Sequence, residues 1–301
     1  MDKQASRPFK RVAIWGAVMI AAIALMIASP AFRPDKGVQA ASTHKQSNDQ
    51  VDKKKTRPKS ANPSRKKSAK SSGNQKQTRS ASVSWVKLGK LYPGAFITNG
   101  PRGKKRVALT FDDAPDSRVT PQILEILSNY HVRATFFLVG NKAANHPQLV
   151  KRILKEGHVI GNHSYNHAIF SKLTNAQFQN QIWRTDKVIN QISGVSPRLI
   201  RPPYGDLLPH QVAWSRANGF TMVNWDVDSE DWKKNPSSAL VLANIKRTLQ
   251  PGSIVLQHAG GGEGQYLSGT IRALPDLIEM LQDKGYEIVT LPELLGKKAY
   301  R

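Results

Sequence analysis

Val107-Ala108-Leu109-Thr110-Phe111-Asp112-Asp113 carries the reading of the fold: an apolar run that ends on two adjacent carboxylates. Two carboxylates where a strand meets a loop oppose folding. Each loses hydration when partly buried, and like charges side by side raise one another's pKa. A strand that ends this way keeps both groups for chemistry. Neighbouring side chains point different ways, so one Asp can bind a metal while the other handles a proton. Taken alone, the segment reads as two solvated loop aspartates. The rest of the chain changes that reading.

Outward from this stretch, short apolar runs alternate with helical patterns. The strand candidates are Val107–Phe111, Ala134–Val139, Val159–Ile160, Arg198–Ile200, Thr221–Trp225, Ser253–Leu256 and Glu287–Thr290. Between them lie amphipathic stretches at Pro121–Tyr130, Gln148–Glu156, Thr174–Ile192, Pro209–Asn218, Ser237–Leu249 and Thr270–Lys284. The third opens with Thr174-x-x-Gln177, a capping box, and ends at Ser193-Gly194. Strand–helix alternation predicts an α/β fold of about seven parallel strands with helices outside. Such strands close into an irregular barrel or form an open sheet, and periodicity does not choose between the two. Residues 85–104 read as an N-terminal extension, an apron or short hairpin before the first core strand. The domain proper runs over 105–295, followed by a basic tail at 296–301.

The chain has 301 residues, no cysteine and a formal charge of +24. Residues 1–90 hold 20 Lys and Arg against 4 Asp and Glu, so two-thirds of the excess lies there. The absence of cysteine removes any disulfide framework and any thiolate nucleophile or ligand. Residues 1–11 form a basic n-region, and the uncharged run Val12–Phe32 is a transmembrane anchor or a signal h-region. Either way the bulk of the chain is expected to be exported. Residues 33–84, rich in Lys, Ser, Asn, Gln and Pro, bury too little to offset conformational entropy and read as a disordered basic linker. Such a linker suits an anionic wall or lipid surface, or serves as a solvated spacer. Export and the lack of interleaved aromatics argue against nucleic acid as a partner. The domain is expected to be a monomer.

In a parallel α/β domain, functional residues gather beyond the carboxyl ends of the strands. Asp112 and Asp113 follow the first strand candidate, His163 and His167 the third, and Arg201-Pro202-Pro203-Tyr204-Gly205 the fourth. Asp226, Asp228, Asp231 and Trp232 follow the fifth, and His258 the sixth. His163-x-x-x-His167 puts two imidazoles one helical turn apart, or close together in a tight loop, within reach of one metal. Asp113 adds a carboxylate. Three protein ligands leave a position open for water or substrate, as hydrolytic metals need. The same set suits Fe(II) in an oxygenase, a reading that leaves Asp112 and His258 without roles.

Asp112 is placed to take a proton from the activated water, and His258 to act as general acid for a leaving amine. Arg201 orients Asp112, and Asp231 holds the His258 imidazole and favours its protonated form. Pro202-Pro203 stiffen the loop that presents the backbone N–H of Tyr204, a donor suited to an oxyanion. Trp232 and Leu256 offer an apolar wall for a group such as a methyl. His44, His131, His146, His158 and His210 receive no function, and Trp183 and Trp214 read as packing.

These segments, in this order, resemble the polysaccharide deacetylase family, also described as NodB-homology or carbohydrate esterase family 4. Thr110-Phe111-Asp112-Asp113 is similar to its first motif and His163-Ser164-x-x-His167 to its second. Arg201-Pro202-Pro203-Tyr204 resembles the third, Asp228-x-x-Asp231-Trp232 the fourth and Leu256-x-His258 the fifth. The resemblance implies a distorted (β/α) barrel and one divalent metal, usually zinc, with cobalt, manganese or nickel as substitutes. It implies removal of an N-acetyl group from an amino sugar polymer. Carried onto this chain, it makes Asp112 the base, His258 the acid, and Asp113, His163 and His167 the ligands. Arg201 braces Asp112, Asp231 tunes His258, Tyr204 serves the oxyanion, and Trp232 and Leu256 line the acetyl pocket.

One position departs from the pattern. Ala114 stands where the family has Gly after the paired aspartates, and it strains the loop if that backbone has φ > 0 and is harmless otherwise. An anchor with a basic exterior tail makes peptidoglycan N-acetylglucosamine the expected substrate. Chitin oligomers or an exopolysaccharide come next, and a non-catalytic wall glycan-binding protein is the reading from another class.

Overall fold

The computed structural model describes residues 83–262 and 265–301. The n-region, the apolar run at 12–32 and almost all of the linker at 33–84 lie outside the described residues. Among those described, no helix is long and apolar enough to cross a membrane. Element order is α1 (Trp85–Leu91), β1 (Phe96–Ile97), β2 (Arg106–Ala114), α2 (Thr120–Asn129), β3 (Thr135–Leu138), α3 (Gly140–Asn145), α4 (Pro147–Lys155), β4 (Val159–Asn162), α5 (Asn175–Ser193), β5 (Leu199–Ile200), α6 (Pro209–Ala217), β6 (Thr221–Val223), β7 (Val227–Asp228), α7 (Ser238–Thr248), β8 (Ser253–His258), α8 (Ser268–Asp283), β9 (Glu287–Ile288) and α9 (Leu291–Leu295).

All strand pairs are parallel, in the order β1-β6-β5-β4-β3-β2-β8-β7, with β9 also on β2. β6 pairs at one end of this order and β7 at the other, yet only Asn224–Asp226 separate them. Four Cα steps span at most roughly 15 Å, so the chain draws the sheet's two ends together into a distorted barrel. The expected strand Thr221–Trp225 is therefore two strands, because the backbone leaves one ladder to join another. Asn224 N–H still donates to Ile97, whereas the Asp226 carboxylate accepts from Ile254 N–H. The hairpin expected within 85–104 is instead a helix followed by a strand parallel to β6.

The strands read as continuous apolar runs because both faces are covered. Val107, Leu109 and Phe111 of β2 belong to the core under the helices, with Ile123 and Leu127 of α2, Val150 and Ile153 of α4, and Leu274 and Leu277 of α8. Ala108 faces the other way, into a core with Phe137, Leu199, Val223 and Ile254, closed off by Leu291 and Leu294 of α9. α5 begins with the expected capping box, in which Thr174 accepts from Gln177 N–H, and ends on left-handed Gly194. The last residues are tied in as well: Arg198 N–H donates to Ala299, and the Tyr300 hydroxyl accepts from Ile160 N–H.

Candidate active site

Strand periodicity builds the site. The interior positions of β2 run Ala108, Thr110, Asp112, and those of β8 run Ile254, Leu256, His258. The register pairs them row by row, ending with Asp112 beside His258. On the chain leaving β5, Arg201 lies two residues beyond Leu199. Its guanidinium covers the Phe137 ring at 4.3 Å and donates to Asp112 Oδ1 and Thr110 Oγ1, each at 2.8 Å. The site is thus the top layer of the barrel interior.

Asp113 should point outward by the same alternation. It does not, because its backbone is left-handed, with φ 63°, and the β2–β3 register shifts between Phe111 and Ala114. Such an irregularity re-aims a side chain at the end of a strand. Adjacent aspartates therefore serve one cavity. The strand continues through both to Ala114, rather than ending at Phe111. Ala114 is absent from the positive-φ positions, is fully buried in the core, and donates no strain to the loop. The left-handed position falls one residue earlier.

His163 and His167 come from a tight loop after β4, not from a helical turn. Ser164 and His167 both have positive φ. The loop is held by Asn162 Oδ1 accepting from Ser164 N–H, and by Gln181 Oε1 accepting from Tyr165 and Asn166 N–H. His163 Nδ1 lies 2.7 Å from the Arg201 carbonyl, which only accepts, so Nδ1 carries the proton and Nε2 presents its lone pair. Burial lowers the His163 pKa to about 3, which keeps the ring neutral, as a ligand must be. Asp113 Oδ1 lies 3.7 Å from His163 Nε2 and 3.3 Å from His167 Nε2. That oxygen is buried with no hydrogen-bond partner. Two imidazole nitrogens and an orphaned carboxylate oxygen, all within 4.8 Å of one another, fit a divalent metal with open coordination positions.

Two buried ion pairs flank the cluster. Burial raises the Asp112 pKa, and the Arg201 and His258 charges oppose that rise. On the other side, Asp231 Oδ1 holds His258 Nδ1 at 2.7 Å, while Oδ2 accepts from His258 N–H and from the Thr270 hydroxyl. Burial disfavours the imidazolium, but the charge and hydrogen bond of Asp231, helped by Asp112 and Asp113, outweigh it and push His258 up to about 9. His258 is therefore a proton carrier at neutral pH.

One cavity of about 610 Å³ is lined by Asp112, Asp113, His163, His167, Tyr204, Trp232, Leu256 and His258. Arg201 and Asp231 stand behind this wall, fully and almost fully buried. The Tyr204 ring meets the His167 ring edge-on at 4.7 Å, and Tyr204 has φ 60°. Trp232 is exposed at the rim and Leu256 is buried beneath. Asp226, grouped with these residues by its place after a strand, is not in the lining. It ties Arg102 at 2.8 Å and the start of β8 instead.

Sequence reasoning missed Lys142, Trp225, Gln265 and the glycines Gly261 and Gly262, all of which line the cavity. Lys142 Nζ donates to the Asp113 carbonyl at 3.1 Å. Asp228, named with the residues after the fifth strand, does line the cavity; Trp225 was within reach of a reading that included the last residue of that strand, whereas Lys142 carried no such signal.

A parallel barrel that gathers two histidines, an unpartnered carboxylate and two buried ion pairs at its carboxyl end has the groups of a hydrolase. The family described as polysaccharide deacetylase matches residues 99–223. A peptidoglycan-N-acetylglucosamine deacetylase of Bacillus cereus is 42% identical over 211 residues, 70% of this chain and 76% of that one. A chitooligosaccharide deacetylase of Bradyrhizobium is 35% identical over 201 residues, 64% of this chain and 91% of that one. The crystal structure of the Bc1960 peptidoglycan N-acetylglucosamine deacetylase matches with a TM-score of 0.68 and 41% identity, over 71% of this chain and 98% of that one. The chain belongs to the polysaccharide deacetylase family.

Proposed function

We propose that the protein is an exported, wall-associated, metal-dependent de-N-acetylase that releases acetate from N-acetylglucosamine of peptidoglycan. The orphaned Asp113 Oδ1, facing His163 and His167 between the Asp112–Arg201 and Asp231–His258 pairs, carries the reading. A divalent metal held by Asp113, His163 and His167, zinc first among the candidates, would lower the pKa of water toward about 7 and polarise the acetyl carbonyl.

The chain's own groups do the rest. Arg201 fixes Asp112 Oδ1, which leaves Oδ2, 3.6 Å from His163 Nε2, to accept the proton of the attacking water. The carbonyl oxygen gains charge and takes a hydrogen bond from Tyr204 N–H. His258, held protonated by Asp231, gives its proton to the departing amine nitrogen. Trp232 and Leu256 receive the methyl group.

Peptidoglycan is favoured by the printed name of the Bacillus cereus relative, and by an apolar run and basic linker that suit a membrane anchor or export signal and an anionic wall. The Bradyrhizobium relative keeps chitin oligomers as the second substrate class. The test is acetate release from peptidoglycan, chitin oligomers and acetylated xylan, with and without chelator. The reading expects chelator-sensitive release, fastest from peptidoglycan; no release from any of the three overturns it.

A further inference from the structure

We infer that Trp85, on the helix ahead of the barrel, is a positioning residue for the Tyr204 loop. The inference rests on the role proposed above for the Tyr204 N–H. Helix α1 lies upstream of the segment the family matches, and it is anchored by Leu88, which is fully buried. Trp85 is half-buried, and its Nε1–H donates to the Gly205 carbonyl at 3.0 Å, across 120 residues of sequence. Asn224 Nδ2 donates to the same oxygen at 3.2 Å. The indole closes over Gly205 so tightly that a Cβ there would meet its ring at 2.4 Å. It also packs edge-on against Trp225, a cavity-lining residue, with ring centroids 5.0 Å apart.

Tyr204 needs such support. Its φ of 60° is unfavourable for a bulky residue and persists only where neighbours impose it. The residue is 65% exposed, so little packing beyond the His167 ring holds it in place. The restraint comes from the next peptide: Gly205 is pinned by two donors and capped by the indole. An oxyanion donor displaced by about 1 Å costs on the order of a hundredfold in rate, and loosening it costs part of that.

The test uses the full chain with Trp85→Phe, which keeps an aromatic ring but removes the N–H donor and part of the indole that caps Gly205, beside Leu277→Ala, which opens the core under α8 away from the loop. For Trp85→Phe we expect kcat to fall about tenfold, with KM and metal affinity unchanged and Tm close to wild type. Hydrogen exchange in the 203–208 peptide should quicken. Leu277→Ala should lower Tm and leave kcat per folded molecule unchanged. Wild-type kcat and exchange in Trp85→Phe overturn the inference. So does a loss of kcat that follows Tm equally in both variants. If the wild type releases no acetate, the functional reading fails first, and the exchange rate still decides whether Trp85 restrains the loop.

Discussion

At the amino ends of the strands, left-handed backbone is given to glycine. Gly157 enters β4 with φ 81°, and Gly252 enters β8 with φ 77°. At the carboxyl ends, Asp113, Ser164, His167 and Tyr204 take the same conformation while carrying side chains. His131 and Gly205 are the exceptions on each face. Each strained non-glycine residue costs on the order of 1–3 kcal/mol. The amino face avoids that cost and the carboxyl face accepts it, because there the strain aims side chains and N–H groups at one cavity. One end of the barrel is built for stability and the other for chemistry.

The largest effect expected is on the chemical end. Asp112→Asn should lower kcat by about 10²–10⁴ and leave metal binding intact. Its Tm should fall as well, since Arg201 loses its buried charge partner, at a cost of roughly 3 kcal/mol. Steady-state rates per folded molecule, with denaturant melts beside them, separate the two losses. Next comes the structural end. Gly252→Ala would set a Cβ 2.5 Å from the Pro101 carbonyl oxygen and force φ 77° on alanine. Stability should fall by about 3 kcal/mol, with kcat of the folded fraction unchanged. A catalytic defect there would erase the contrast between the faces.

The pH dependence sharpens it. His258 stands at about 9 against an ordinary 6.5, so its proton is present at neutral pH and lost as pH rises through 9. The stability from the Asp231 pair should therefore be full below about pH 6.5 and lost as pH rises through 9, and the rate should fall as the folded enzyme loses the His258 proton through 9. Asp231→Asn removes the main cause of the rise and leaves burial, which lowers the pKa. The alkaline limb of the kcat profile should move down by two units or more toward 6.5. An unmoved limb would assign the alkaline step to another group.

The smallest effect reverses the usual sign. Ser164 has φ 67° and a buried hydroxyl with no partner. Ser164→Gly should raise stability by about 1 kcal/mol while slowing turnover, through a looser His163–His167 loop. Calorimetric melts and kcat measured together would show stability and activity moving in opposite directions.

Much of this carboxyl face was legible in the chain, because its chemistry lies in polar residues that interrupt apolar strands. Asp112, Asp113, His163, His167 and His258 stand out against Val107–Phe111 and Ile254–Leu256 for that reason. What escaped depends on contacts that only folding creates. Trp85 meets Gly205 across 120 residues, and Lys142 reaches the Asp113 carbonyl from a six-residue helix with no amphipathic signature. The two residues of β7 are too few to show a period, so periodicity left barrel and open sheet undecided and only the family resemblance implied the barrel. The direction of Asp113 was also hidden, since strand alternation sends it outward and a left-handed backbone turns it in.

The central claim is that Asp113, His163 and His167 hold one catalytic metal while Asp112 does not. Zinc titration calorimetry on the full chain, paired with acetate release from peptidoglycan, tests it most directly. The account predicts one equivalent bound by the wild type and by Asp112→Asn. It predicts no tight binding after His163→Ala or His167→Ala, and acetate release only from the wild type. Tight zinc binding that survives loss of both histidines, or acetate release that survives chelation, would contradict it.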